Sequence, residues 1–386
     1  MTQEQMLQIC GQVPGWIQTD ECVWLFEAAV RLARGQSWVN VGPWQGRSFL
    51  AAGLGLPKGS SLKCVDSHPG TAENLSPAIR PAEESVRNID RLRELRPELT
   101  IDRAVGAMPD AARTVCDASL SIVFIDGCRN FESVSAQIQA WRPKIAAGGR
   151  LVGHGYGLGN GLGVTRAVVQ LLPGVASGMG TIWTWTPPAP LQDAATLPRL
   201  SVIVATTGRP SLATTLASIK SQRLLGGDEV LLVHDGQAGA AAVAAWDQAE
   251  LPGQIVVLGT GPHRDWGAAA RTAGQSLAKG THLLWQDDDD LYLPGAFDVI
   301  RREIVASPED ILVFRLVYPD GRVLWKEPAI AWKNVSTQMC VIPRTARLGQ
   351  WGIQYWGDFE FLQSTVNANP GRPVCFVDRP IVMYGR

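Results

Sequence analysis

The sequence predicts an α/β protein of two domains, and three observations predict it. Short β-branched apolar runs alternate with amphipathic stretches in both halves of the chain. A segment with four prolines, Thr186-Pro-Pro-Ala-Pro-Leu-Gln-Asp-Ala-Ala-Thr-Leu-Pro198, interrupts that alternation. The composition, 46% hydrophobic and 18% charged, is that of a chain able to bury a core. The expected divisions are a domain over 1–185, a linker over 186–198 stiffened by proline, and a domain over 199–386.

In the first half, strands are predicted at Trp38–Val41, Ser61–Val65, Thr100–Ala104, Leu120–Ile125 and Arg150–Val152, with a last one in Thr181–Trp185. Helices are predicted at Cys22–Arg34, Ala82–Leu95, Phe131–Trp141 and Val164–Leu172. Strand–helix alternation of this kind places parallel strands in one sheet. In the second half, Leu200–Ala205, Glu229–Val233, Ile255–Leu258 and His282–Trp285 read as strands. Ser211–Ser221, Arg271–Ala278 and Ala296–Val305 read as helices, the first with Ser211 as N-cap. Ile311–Tyr318 and Arg322–Trp325 flank the turn signal Pro319-Asp-Gly321 and predict a hairpin. Trp356–Asn367 reads as a loop entering a helix.

Charge and cysteine content exclude some classes. Net charge is -1, from 35 basic and 36 acidic residues, so no general basic field attracts nucleic acid. The 7 cysteines are scattered and form no C-x-x-C pair, which argues against a zinc ribbon or a disulfide framework. The N-terminus carries Glu4 and no apolar signal core, and no apolar run is long enough to span a bilayer. A soluble cytoplasmic protein is expected; its oligomeric state is not legible.

The strongest chemical signal is Trp285-Gln-Asp-Asp-Asp-Asp-Leu-Tyr-Leu-Pro294. Four adjacent carboxylates repel one another unless a cation offsets them. They follow an apolar strand, and the C-terminal edge of an open α/β sheet is where ligands bind. Hard oxygen donors suit Mg2+ or Mn2+. A solvated acidic loop is the alternative reading of the run by itself.

Four segments set this run in context. They are Leu200-Ser-Val-Ile-Val-Ala-Thr-Thr-Gly-Arg-Pro210, Val230-Leu-Leu-Val-His-Asp-Gly236, Trp266-Gly-Ala-Ala-Ala-Arg-Thr-Ala-Gly274, and Asp287-Asp-Asp-Asp290 with Pro294 downstream. In this order they resemble glycosyltransferase family 2, which has the GT-A fold. The resemblance implies a nucleotide-sugar donor, expected to be a UDP-sugar, and a D-x-D pair at Asp287 and Asp289, with Asp289 the direct metal ligand. It places Thr206, Arg209 and Asp235 in the nucleotide pocket and Arg271 near the diphosphate, with Asp288 and Asp290 helping through ribose or water contacts. Tyr355-Trp-Gly-Asp-Phe-Glu-Phe-Leu362 resembles the family's acidic motif ahead of the acceptor-side helix. Asp358 is the expected general base and Glu360 the substitute; a helix-capping role for Asp358 is the structural alternative. Trp332, Trp351 and Trp356 offer rings that suit sugars, or ordinary core packing. Some relatives place a late histidine on the metal; here the last histidine is His282.

In the first half, Val39-Asn-Val-Gly-Pro-Trp-Gln-Gly-Arg-Ser48, Cys64-Val-Asp-Ser-His68, Ile122-Val-Phe-Ile-Asp-Gly127 and the stretch from Trp141 to His154 resemble class I methyltransferases that bind S-adenosylmethionine. That implies a Rossmann-like fold. Gly42, Gly46 and Ser48 would approach the methionine part, Asp66 would hold the ribose, and Asp126 would lie at the catalytic edge with His154 nearby. The chain departs from those relatives at Asn40, where they carry an acid, at Cys128, where they often carry histidine, and at His154-Gly155, where they often carry His-Asp. These losses remove charge that would hold cofactor or metal and leave methyl transfer open.

The expected function is metal-dependent, inverting glycosyl transfer to a glycan or small-molecule acceptor, alongside a possible methyltransferase activity. The alternatives are transfer onto hydroxymethylated DNA bases and a non-catalytic carbohydrate- or nucleotide-binding protein.

Overall fold

The computed structural model describes residues 1–66, 81–106, 109–127, 129–157, 162–188, 191, 194–259 and 261–385. His68, Cys128 and part of the proline-rich segment lie outside them. The chain divides into two compact units, Met1–Pro188 and Ala189–Arg386.

The first unit comprises α1 (Gln3–Cys10), α2 (Thr19–Val30), β1 (Ser37–Val41), α3 (Arg47–Gly55), β2 (Ser61–Asp66), α4 (Pro81–Leu95), β3 (Thr100–Val105), β4 (Leu120–Ile125), α5 (Phe131–Trp141), β5 (Ile145–Gly153), α6 (Leu162–Leu171), β6 (Ala176–Ser177) and β7 (Trp183–Trp185). The sheet order is β3-β2-β1-β4-β5-β7-β6. Strands β1 to β5 are parallel, and β7 runs antiparallel to β5 and β6. This is a Rossmann-like doubly wound sheet, and its order reverses between β1 and β4, where such sheets open a ligand crevice. Helix α3 has no polar face: every residue from Ser48 to Gly55 is buried. A helix buried all round shows no amphipathic stripe, which is why the sequence predicts only the turn before it. Strand β5 starts earlier than expected because its pairing with β4 shifts register between Leu120 and Ile122.

The second unit comprises β8 (Leu200–Thr206), α7 (Leu212–Lys220), β9 (Glu229–His234), α8 (Ala240–Ala249), β10 (Gly253–Val257), α9 (Ala268–Leu277), β11 (His282–Asp287), β12 (Leu291–Tyr292), α10 (Ala296–Ala306), β13 (Ile311–Val317), β14 (Val323–Leu324), β15 (Cys340–Pro343), α11 (Gly357–Ala368) and β16 (Val374–Met383). The order is β10-β9-β8-β11-β15-β13-β16-β12, with β14 on β13 as the hairpin partner. Strands β8 to β11 are parallel, and β15 runs antiparallel to β11 and β13. The expected GT-A architecture is thus a parallel half continued by a mixed half. Strand β8 is apolar through Val202–Ala205 and buried along nearly its whole length, as expected for a strand covered on both faces. Ser211 does precede α7, but its backbone is already helical and its hydroxyl caps nothing, so the expected N-cap bond is not made.

Trp285 of β11 anchors the core of this unit. Its ring meets Phe361 edge-on at 5.1 Å, and Phe361 stacks on Trp351 at 3.7 Å. Trp351 is therefore a packing residue, whereas Trp332 and Trp356 are exposed.

Candidate active site

In the second unit, register brings the chemistry to one sheet edge. Asp287 ends β11 beside Ala205, and Thr206 ends β8 beside His234 of β9. The acidic run, the Thr206–Arg209 loop and Asp235 therefore leave the same end of neighbouring strands.

Each carboxylate of the run has its own setting. Asp288 is buried and accepts the Thr206 hydroxyl at 2.6 Å, while Thr206 Oγ1 accepts the Gly208 N–H at 2.8 Å. Asp290 is fully buried; its Oδ1 accepts the Gly385 N–H at 2.8 Å and its Oδ2 accepts the Gln338 amide. Asp289 pairs with Arg209, Oδ2 to Nη1 at 2.8 Å, and the same guanidinium lies 3.4 Å from Asp288. Asp287 accepts Arg271 Nη2 at 2.5 Å on one oxygen and Gln338 Nε2 at 2.8 Å on the other.

The two arginines differ. The Arg271 side chain is 8% exposed, also donates to the Trp266 carbonyl at 2.6 Å, and packs over the Trp351 ring. Arg209 is 47% exposed. Burial pushes the Asp287 carboxyl up, Arg271 pulls it down, and the charges of Asp358 and Asp289 push it up again; the net direction is upward. Burial opposes the charge on Arg271, but Asp287 and Asp358 outweigh it and hold the guanidinium charged.

Oxygens of Asp287, Asp289 and Asp290 lie within 4.8 Å of one another. Three convergent carboxylate oxygens are a hard donor set that fits Mg2+ or Mn2+. Gly385 packs closely against the run: a Cβ there would stand 1.4 Å from the Asp289 carbonyl.

Asp358 lies in the first turn of α11, whose N-cap is Trp356. Its carboxylate accepts from the Ser336 hydroxyl and the Thr337 N–H, each at 3.1 Å. It therefore braces the 3-10 turn Thr337–Met339 instead of capping its own helix. Glu360 accepts the Trp356 indole N–H at 2.8 Å on an exposed face. Asp235 accepts the His263 N–H at 3.0 Å and contacts the His263 ring, whose pKa it raises. Trp266 and Tyr355, both exposed, meet edge-on at 5.5 Å.

Gln338, Ser336, Gly385 and His263 escape sequence reasoning. None lies in a charged run or a recognisable motif, and each reaches the site only through tertiary folding.

In the first unit, Gly42 and Gly46 take positive φ, +72° and +99°, at the strand-to-helix turn, a conformation that favours glycine. Asn40 is fully buried and donates to Ser48 Oγ at 3.1 Å, while its Oδ1 accepts no hydrogen bond among the described residues. Asp66 ends β2. Asp126 follows β4, and its N–H bonds the Val41 carbonyl at 2.9 Å. His154 follows β5 with Nδ1 3.4 Å from Asp126 and Nε2 3.3 Å from Glu21.

Glu21, which the sequence does not single out, joins His154 at this sheet edge. It is fully buried and accepts from Gln18 N at 2.8 Å, Thr181 N at 2.7 Å and Thr181 Oγ1 at 2.8 Å. Burial opposes its charge, but His154 and the backbone donors outweigh burial and lower its pKa to about 2. Burial likewise opposes the charge on His154, but Asp126 and Glu21 prevail and raise it to about 9.

Two families match separate stretches of the chain. Residues 201–357 match the family described as Glycosyl transferase family 2, and residues 39–156 match the family described as Methyltransferase domain. The uncharacterized glycosyltransferase YwdF of Bacillus subtilis (strain 168) is 32% identical over 137 residues, 33% of this chain and 49% of YwdF. The chain thus spans about half the length of that curated relative. Crystal structures of S. aureus TarS are similar at a TM-score of 0.39. One covers 49% of this chain and 37% of TarS at 17% identity. Another, TarS 1-349 in complex with UDP-GlcNAc, covers 48% of this chain and 58% of that one at 18% identity. Among the described residues no helix is long and apolar enough to cross a membrane.

Proposed function

We propose that the chain is a metal-dependent, inverting glycosyltransferase that moves a sugar from a nucleotide-sugar donor, a UDP-sugar, to the hydroxyl of a glycan or small-molecule acceptor. One observation carries this reading: three carboxylate oxygens converge at the C-terminal edge of the sheet, linked through Gln338 and Ser336 to the acid of the acceptor-side helix. The family match over 201–357 supports it.

Asp289, with Asp287 and Asp290, would hold Mn2+ or Mg2+. Lewis-acid stabilisation of the departing nucleoside diphosphate is the chemistry a cation supplies there. Arg209 is exposed enough to turn from Asp289 to a phosphate oxygen. Arg271 stays on Asp287 as a fixed counter-charge, so its contribution to the diphosphate is electrostatic. Asp235, aligned by His263, would accept from the base, and Asp288 would order the Thr206 loop beside the ribose. Asp358 takes the acceptor hydroxyl proton. The acceptor oxygen bonds the anomeric carbon, the bond from that carbon to the diphosphate breaks, and its electron pair leaves with the diphosphate. Attack opposite the leaving group inverts the centre. Glu360, hydrogen-bonded to Trp356, would orient that exposed ring toward an acceptor. The scattered cysteines, with no C-x-x-C pair, support a reducing cytoplasm as the compartment for this activity.

For the first unit, we read the β1–β4 crevice as an S-adenosylmethionine site. The buried acceptor Asn40 Oδ1 suits the cofactor ammonium, Gly42, Gly46 and Ser48 line the turn beside it, and Asp66 would take the ribose. Asp126 is neutralised by His154, whose two ring nitrogens are both engaged. Among the described residues the site therefore offers no ready base, and methyl transfer relying on them would need an acceptor that is already nucleophilic.

The direct test is calorimetry of UDP-sugar binding with and without Mn2+, and turnover over a panel of donors. Asp289→Ala should abolish the metal-dependent part of donor binding while the fold persists. Donor binding that ignores Mn2+ in the wild-type chain overturns the metal assignment.

A further inference from the structure

We propose that Gln338 is a positioning residue of the site, holding Asp287 and Asp290 in their metal-binding arrangement and relaying that arrangement through Ser336 to Asp358. The proposal rests on the metal reading of the acidic run given above.

Gln338 is 2% exposed and stands in the 3-10 turn Thr337–Met339, between β11 and the strand that follows the turn, β15. Its amide carries two N–H groups, and each meets a different carboxylate: Asp287 Oδ2 at 2.8 Å and Asp290 Oδ2 at closer range. The opposite amide orientation would aim a carbonyl oxygen at two carboxylates, so electrostatics selects this one. Its Oε1 is taken by the Ser336 hydroxyl at 2.6 Å. All of its hydrogen-bonding directions that face the site are therefore committed.

Two carboxylates close enough to share a cation repel each other without one. A neutral double donor between them holds both in place without adding a charge that would compete with the cation. A lysine or arginine there would form a salt bridge and occupy the electrostatic role of the metal. Arg271 and Arg209 already offset Asp287 and Asp289, so glutamine fixes direction and leaves only the remaining negative charge for a cation to meet. Donors behind metal ligands typically matter at the level of 10–100-fold in affinity or activity.

Ser336 extends the arrangement. Its hydroxyl oxygen lies 2.6 Å from Gln338 Oε1 and 3.1 Å from Asp358 Oδ2, so one hydroxyl proton serves both acceptors. The Thr337 N–H fixes the same Asp358 oxygen. One short turn thus sets both the carboxylates that would grip the metal and the carboxylate that would accept the proton.

The experiment measures Mn2+ binding to the full chain by calorimetry with UDP as probe, and the spectrum of bound Mn2+ by electron paramagnetic resonance. Gln338→Met keeps the length of the side chain and removes both donors. It should weaken Mn2+ binding by about 10–100-fold and alter the Mn2+ signal, with cooperative unfolding retained. Gln338→Glu keeps the shape but sets a carboxylate against two others, and should be at least as impaired. Unchanged Mn2+ affinity in a folded Gln338→Met, or wild-type affinity in Gln338→Glu, overturns the proposal. Should Gln338→Met fail to fold, Ser336→Ala decides: a loss of about 3–10-fold supports the relay, and no loss overturns it. A wild-type chain that takes up no Mn2+ with UDP present sinks the metal reading itself, a result distinct from any of these.

Discussion

The two units meet the same difficulty with different counter-charges. Each gathers carboxylates at the C-terminal edge of a parallel sheet. In the first unit a histidine stands between Glu21 and Asp126, and both of its nitrogens are occupied. In the second, two arginines and a glutamine amide surround the acidic run, and one arginine is about half exposed. A histidine counter-charge closes its site and can be titrated away. Guanidinium groups keep their charge across the working pH range, and an exposed one can move aside. The difference separates an edge built to be held from an edge built to admit something.

The sharpest way to break this contrast is at the acceptor side of the second unit. Asp358→Asn should lower the turnover number by about 10²–10⁴-fold with donor affinity retained, as expected for removal of a general base. Turnover at the wild-type rate would move that role to Glu360 and leave Asp358 as a brace for the Ser336 turn. The matching cut in the first unit is His154→Leu, which leaves two buried or nearly buried carboxylates facing each other. It should cost the first unit about 3–5 kcal/mol, read by hydrogen exchange of peptides within 1–188, with donor binding by the second unit unchanged. Intact protection there would show that the His154 pairs contribute nothing.

The pH dependence sharpens the comparison further. His154 is raised from 6.5 to about 9, so its stabilisation is complete below about pH 6.5 and is lost as pH rises through about 9. Glu21 is lowered from 4.5 to about 2, so its stabilisation is complete above about pH 4.5 and is lost as pH falls through about 2. Hydrogen-exchange protection of the first unit should therefore be greatest between about pH 4.5 and 6.5 and should decline toward pH 9. A profile flat from pH 6 to pH 10 would contradict the histidinium assignment. The smallest effect is expected at Asn40. Asn40→Asp should tighten S-adenosylmethionine by about tenfold in calorimetry, because a charged acceptor binds an ammonium more strongly than a neutral one. Equal or weaker binding would remove Asn40 from the cofactor site.

How much of this was legible in the sequence depended on the kind of signal. The parallel strands β8, β9 and β11 were plain because buried strands carry dense apolar, β-branched runs, and for β9 and β11 an acid, Asp235 or Asp287, comes at the strand end. Helix α3 was hidden because all of it after Arg47 is buried, and the long β16 was hidden because Pro380 sits within it, where the pairing with β13 shifts register. Within the sites, the acidic run and Asp358 stood out by charge and spacing. Gln338 and Glu21 did not, because their roles come from partners 51 and 160 residues away in the chain. Local pattern carries no trace of such pairings. Arg271 was legible as a basic residue near the site, but only the fold shows that Asp287 already holds it.

That Arg271 and Arg209 already sit among the acids has a consequence for folding. Many metal-binding domains collapse when stripped by a chelator, because binding energy and folding energy are then one quantity. Here the guanidinium groups act as resident counterions, so the polypeptide does not depend on a divalent ion to hold its shape. Its unfolding midpoint should therefore be the same in EDTA as in buffer alone.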